Sequence, residues 1–103
     1  MYEAVDFQKE WAKLGYSDED YEKLTDYLTD NPGVGNMIPG TGGVMKLRWP
    51  APGDRGKRGG SRVIYFARNQ RRFVYFVMVY SMNNKLDLTE IQKRTLRVLI
   101  KQM

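Results

Sequence analysis

The sequence predicts an α+β fold, with helical segments at both ends of the chain and antiparallel strands between them. Three observations predict it. Apolar residues recur at helical spacing over 7–14, over 21–28 and again over 88–100. Residues 44–49 alternate in polarity, and 62–67 and 72–81 are rich in β-branched and aromatic residues. Glycine, proline and asparagine separate these blocks. At 103 residues the chain can bury one core, so a single domain spanning 1–103 is expected.

Taken in order, residues 2–6 have the composition of a short strand. Phe7, Trp11 and Leu14 then fall on one face of a helix that Gly15 ends. Ser17 opens a second helix, with Asp18, Glu19 and Asp20 in its first turn, where the helix dipole favours negative charge. Tyr21, Leu24 and Leu28 form its apolar stripe, and Asn31-Pro32-Gly33 stops it. Tyr21 and Tyr27 are assigned to packing. Residues 33–43, with five glycines and a proline, read as a turn-rich connection without regular structure.

In the next run Val44, Lys46 and Arg48 point one way, and Met45, Leu47 and Trp49 the other. One face suits a core and the other an anion. Residues 50–60 read as an extended, mobile basic loop. Strands over 62–67 and 72–81 follow, with Asn69-Gln70 at a hairpin turn. The second of these is continuously apolar, which predicts a central strand covered on both faces. Thr89 with Gln92 has capping-box spacing for a last helix. Leu88, Ile91, Leu96, Leu99 and Ile100 are its expected buried stripe, and Lys93, Arg97 and Lys101 its solvated face.

Charge is distributed very unevenly. Residues 46–72 carry nine Lys and Arg against the single acid Asp54, whereas residues 1–30 carry nine acids against three Lys. A solubilising edge would be mostly lysine and scattered. Here seven of the nine cations are arginine, the residue suited to forked contacts with phosphate, and they are interleaved with aromatics. That combination predicts a nucleic-acid partner.

Composition also excludes several chemistries. The chain has no cysteine and no histidine, so it lacks a thiol nucleophile, the commonest metal ligand and the commonest general base. No metal site and no cofactor are expected. The glycine-rich segments do not fit a P-loop, because Gly56-Lys57 is followed by Arg58 and position 51 is alanine. The start of the chain has no secretory pattern, and its longest apolar run, Phe73 to Tyr80, is too short for a membrane span. A soluble cytoplasmic protein without a membrane partner is the expectation.

RNA can be cut without a metal when its own 2′-hydroxyl attacks the adjacent phosphate. Such a site needs a base, an acid for the leaving 5′-oxygen, and cations for the charge that builds on the phosphate. Without histidine, Lys46, Lys57 and Tyr80 are the candidates for proton transfer. Arg48 and Arg62 are the candidate charge stabilisers.

The runs Ile38-Pro39-Gly40-Thr41-Gly42-Gly43, Lys46-Leu47-Arg48-Trp49 and Gly56-Lys57-Arg58-Gly59-Gly60-Ser61-Arg62-Val63-Ile64-Tyr65 closely resemble the HigB branch of the RelE/ParE toxin superfamily. The similarity covers nearly the whole chain, including Asn31-Pro32, Gly35, Tyr80 and Asn83 to Leu88. It implies a RelE-like, microbial-ribonuclease-type fold, with N-terminal helices packed on a twisted antiparallel sheet and a C-terminal helix. It also implies the toxin of a type II toxin–antitoxin system, cutting mRNA in the ribosomal A site. Carried over by motif, Arg62 matches the main catalytic arginine. Lys57 and Arg58 match the basic loop before it, Lys46 and Arg48 the cationic strand, and Tyr80 the aromatic position near the reacting nucleotide. Arg55 and Lys85 join Lys46, Arg48, Lys57 and Arg58 as RNA-binding candidates.

Two departures stand out. Met45 occupies a position that is usually basic, and Tyr80-Ser81-Met82-Asn83-Asn84-Lys85 replaces Tyr-x-Lys-x-Glu-Lys. The implied partners are a cognate antitoxin, the 70S ribosome and mRNA, with operator DNA reached only through the antitoxin. The alternatives are a non-catalytic RNA-binding relative and a ParE-like gyrase poison; the cations on the sheet disfavour the latter.

Overall fold

The structure, a computed structural model, describes residues 2–4, 6–52, 60–68, 73–82 and 88–102. Its elements run β1 (Tyr2–Glu3), α1 (Phe7–Lys13), α2 (Asp18–Asp30), β2 (Asn36–Met37), β3 (Met45–Trp49), β4 (Ser61–Arg68), β5 (Phe73–Ser81) and α3 (Glu90–Lys101). The α+β class is as expected. The expected features at 50–60 and at Asn69-Gln70 lie wholly or largely outside the described residues.

Both expected caps form. Ser17 Oγ accepts from the Asp20 N–H at 3.1 Å, and the Asp20 carboxylate accepts from the Ser17 N–H at 2.9 Å. Thr89 and Gln92 repeat the exchange at 3.1 and 2.9 Å. Each cap satisfies two backbone N–H groups that a helix start otherwise leaves without partners.

The strands form one sheet in the order β1-β5-β4-β3-β2. Four of them are antiparallel, while β1 runs parallel to β5, pairing Tyr2 with Tyr75 and Glu3 with Phe76. Two expectations are corrected here. The first strand is only two residues long and makes the sheet mixed. The connection 33–43 contains β2, which owes its existence to pairing with β3 rather than to any pattern of its own. The middle strand of the five is β4 rather than β5, although β5 is also interior, flanked by β1 and β4. The expected cover of β5 on both faces is present, with Val74, Phe76 and Val79 in one cluster and Phe73, Tyr75, Val77 and Met78 against the other.

Under one face, Phe7, Trp11, Tyr16, Leu24 and Leu28 pack with Val63, Tyr65, Val74, Phe76 and Val79. Burying each such aliphatic or aromatic side chain contributes roughly 1.5–3 kcal/mol relative to exposure. Tyr21 is half-buried among Phe7, Trp11 and Phe76, and Tyr27 packs on Trp49. On the other face α3 covers Ile38, Val44, Ile64 and Phe66 with Ile100 and Leu96. The facing of α3 departs from expectation. Ile91 is 74% exposed, Val98 is on the same outer side, and Lys93 is half-buried. The helix is rotated so that Leu96, Leu99 and Ile100 point inward, and Lys93 and Arg97 lie over Gly40 and Gly42.

Candidate nucleic-acid interface

The alternation of β3 resolves as expected. Met45, Leu47 and Trp49 pack toward α1 and α2, and Val44 is fully buried under α3. Lys46 and Arg48 therefore stand on the α3 face of the sheet. On β4 the same alternation sends Val63, Tyr65 and Ala67 to the α1/α2 side and Arg62, Ile64 and Phe66 to the α3 side.

A register shift decides the third strand. Ile64 pairs with Met78 and Tyr65 with Phe76, leaving Val77 as an extra residue on β5. Such a bulge reverses the facing of everything after it. Val74 and Phe76 face α1 and α2; without the bulge Tyr80 would join them. With it, Val79 takes the inner side, and Tyr80 emerges on the face that carries the arginines.

The result is a straight cross-strand row. Arg48 pairs with Arg62 across β3 and β4, and Arg62 pairs with Tyr80 across β4 and β5. Directly opposed residues of antiparallel strands have Cα atoms about 4.5–5.5 Å apart, so the three side chains rise side by side. The next row is Lys46, Ile64 and Met78. Arg48 is exposed, and Lys46, Arg62 and Tyr80 are half-buried. Helix α3 covers the other part of this face, including Ile64 of the second row, so the row of Arg48, Arg62 and Tyr80 lies toward its open end.

Two arginines facing each other across a strand pair is an unfavourable arrangement on its own. Among the described residues no carboxylate relieves it. The ion pairs there are Lys13–Glu10 at 3.7 Å and Lys93–Glu90 at 3.6 Å, each within a single helix, and neither includes an arginine of the row. Arg68 is occupied differently: its guanidinium sits 5.4 Å from the Phe66 ring centroid and donates to the Ile100 carbonyl. The fourth cation of the described part of the basic segment is thus structural. Lys46, Arg48 and Arg62 are left to attract an anion, with the phenol of Tyr80 beside them.

Met45, one of the two departures from the toxin pattern, lies on the far side of the sheet from this row. Its position takes no cation from the anion-facing surface. Met82 follows the row, and its N–H donates to the Gly60 carbonyl at 3.1 Å. Arg55, Lys57, Arg58 and Lys85, the remaining sequence candidates, lie outside the described residues.

Sequence reasoning missed what fixes the row from behind. Tyr16, 5% exposed, stacks on Trp11 with ring centroids 4.0 Å apart. Its Oη lies 2.7 Å from the Pro50 carbonyl oxygen and 3.0 Å from Ser61 Oγ. Burial raises the Tyr16 phenol above its ordinary pKa; the Ser61 bond opposes the rise and the charge of Asp20 adds to it. Tyr65 has a similar role at the other end of β3, donating to Pro32 O at 3.1 Å and accepting from the Gly35 N–H at 3.0 Å. No local pattern marks these tyrosines, because their partners lie 30 to 45 residues away.

No helix among the described residues is long and apolar enough to cross a membrane. The chain matches no protein-family model.

Proposed function

We propose that this chain is a HigB-like toxin with a RelE-type fold, a ribosome-dependent endoribonuclease that cuts mRNA in the A site. One observation carries the reading: Arg48, Arg62 and Tyr80 share a single cross-strand row on the open part of the sheet, and no acid among the described residues pairs with the arginines. The motif resemblance from Gly40 to Tyr65 gives that row its chemical context.

In the proposed reaction the phosphate 3′ to the cleaved nucleotide lies over Arg48 and Arg62. The 2′-oxygen attacks phosphorus and the bond to the 5′-oxygen breaks, giving a 2′,3′-cyclic phosphate and a 5′-hydroxyl. One group among Lys46, Lys57 and Tyr80 takes the 2′-hydroxyl proton, and another returns a proton to the leaving oxygen. The guanidiniums stabilise the charge that develops on the phosphoryl oxygens, a contribution typically worth about 3–4 kcal/mol for one well-placed donor. A cognate antitoxin would silence the protein by covering or rearranging this surface, and operator DNA would be reached through that antitoxin.

Incubating a reporter mRNA in a bacterial translation extract, with and without ribosomes, tests the reading. Cuts inside the translated frame that require ribosomes and vanish with Arg62→Ala are expected. RNA binding without cleavage by the folded wild type would instead mark a non-catalytic binding relative. Arrest of replication rather than translation in poisoned cells would point to the gyrase-directed branch.

A further inference from the structure

The row is bordered on one side by the ends of its own strands. Trp49 follows Arg48, Ser61 precedes Arg62, and Ser81 follows Tyr80; these three form the next cross-strand row. One step further, Pro50, Gly60 and Met82 mark where the chain leaves β3, enters β4 and leaves β5.

Three contacts hold the three strand ends together. Gly60 adopts φ +83°, and a Cβ there would stand 2.5 Å from the Trp49 carbonyl oxygen, so only glycine lets the returning chain approach β3 this closely. The Met82 N–H donates to the Gly60 carbonyl at 3.1 Å and ties in β5. From the opposite face, Tyr16 reaches both sides of the opening at once, at Pro50 O and Ser61 Oγ. Its hydroxyl has a single proton. The Pro50 carbonyl can only accept, so that proton belongs to the shorter bond at 2.7 Å, and Ser61 donates its own to Tyr16 Oη.

We infer that Tyr16 is a positioning residue for the anion-binding row, fixing the spacing of Arg48 and Arg62 by closing the mouth between β3 and β4 from beneath the sheet. The inference about RNA rests on the proposed function; the inference about arginine geometry does not. Tyr16 never touches the anion. It acts through Pro50, two residues from Arg48, and through Ser61, adjacent to Arg62. The turn that presents it is fixed in its own right, because Trp11 stacks on its ring and donates from Nε1 to the Ser17 carbonyl at 3.1 Å.

The structure supplies a matched control. Tyr65 is also buried and makes two hydroxyl hydrogen bonds, to Pro32 and Gly35, at the end of the sheet away from the row. Tyr16→Phe and Tyr65→Phe each remove one hydroxyl and keep the ring, so both variants should melt at lower temperature than wild type by similar amounts. They should differ at the site. In ¹⁵N-labelled protein, held well below either melting temperature, the Arg48 and Arg62 Nε–H resonances, assigned with single Arg→Lys variants, should move in Tyr16→Phe and stay in place in Tyr65→Phe. Binding of a single-stranded RNA oligonucleotide, read by fluorescence anisotropy, should weaken about tenfold in Tyr16→Phe and less than twofold in Tyr65→Phe.

Arginine resonances unchanged in Tyr16→Phe, or moved equally in both variants, would overturn the inference. Resonances that move as expected while the wild type binds no RNA would retain the positioning role and remove the RNA reading instead. Ser61→Ala, which takes away one partner of the Tyr16 hydroxyl and leaves the other, should move the same two resonances in the same direction as Tyr16→Phe.

Discussion

Gly35 is where the architecture allows the sharpest test by one methyl group. A Cβ at this position would lie 2.7 Å from the Lys46 carbonyl oxygen, 2.9 Å from Tyr65 Oη and 3.2 Å from the Lys46 carbonyl carbon. Ordinary van der Waals contact for a Cβ begins at 3.4 Å, and two of the three obstructing atoms are backbone of β3. Relief therefore requires the connection after α2 to move off the sheet. Overpacking of this kind costs about 1–3 kcal/mol, and losing the Tyr65 hydrogen bond to the Gly35 N–H adds about 1 kcal/mol. Gly35→Ala is thus expected to lose about 2–4 kcal/mol, which for a domain of this size lowers the melting temperature by about 10–25 °C. The internal control is Gly33→Ala, where a Cβ would meet nothing within 4 Å. Thermal unfolding followed by circular dichroism reads both. A Gly35→Ala variant melting within about 2 °C of Gly33→Ala would refute the claim that β3 is held this tightly.

Further outcomes follow from the packing of α3 and from the buried phenols. Ile91→Ser should change stability by no more than about 0.5 kcal/mol, and Ile100→Ala should cost about 2–4 kcal/mol, because the first side chain faces solvent and the second is buried against the sheet; chemical denaturation of the two variants checks the rotation of the helix. Tyr16, Tyr21 and Tyr65 all have pKa values raised above 10.0, chiefly by burial. A raised folded-state value means that the unfolded chain releases its phenol protons first as pH rises. Stability from this source should therefore be fully present below pH 10.0 and lost as pH climbs from there through the folded-state values. An equilibrium denaturation series across that range should show the decline, shallower in Tyr16→Phe.

The local signals in the sequence were legible because they depend on neighbours. Ser17 with Asp20 and Thr89 with Gln92 announce helix starts within three residues, and Lys46 and Arg48 alternate with Met45, Leu47 and Trp49 over a single strand. The signals that failed depend on distant partners. Strand β2 exists through Asn36 and Met37 pairing with Lys46 and Met45. Ile91 is apolar and helically spaced, but the face of α3 that meets the sheet is the one whose Leu96 and Ile100 pack with Ile38, Val44, Ile64 and Phe66, all distant in sequence.

Tyr80 is the instructive case within the site. The run from Phe73 to Tyr80 has no polar alternation, so nothing in it tells which residue faces which way. The bulge at Val77 makes that choice, and it arises from the pairing of β5 with β4. The arginines were identifiable as types and as a cluster; their joining into one row with Tyr80 required the register. Tyr16 and Tyr65 carried no signal, since a lone buried tyrosine in sequence is indistinguishable from ordinary core.

The most direct test of the central claim compares cations by location. RNA affinity of the wild type should fall steeply with salt, with a slope on a log–log plot of about 0.7 for each phosphate contact. Arg48→Ala and Arg62→Ala should each weaken binding and reduce that slope by about 0.7, while Arg94→Ala and Lys101→Ala, on the exposed side of α3, should leave it unchanged. Equal losses from all four substitutions would contradict the account. The chain would then attract RNA by its net charge alone, and the row on the sheet would have no special part in it.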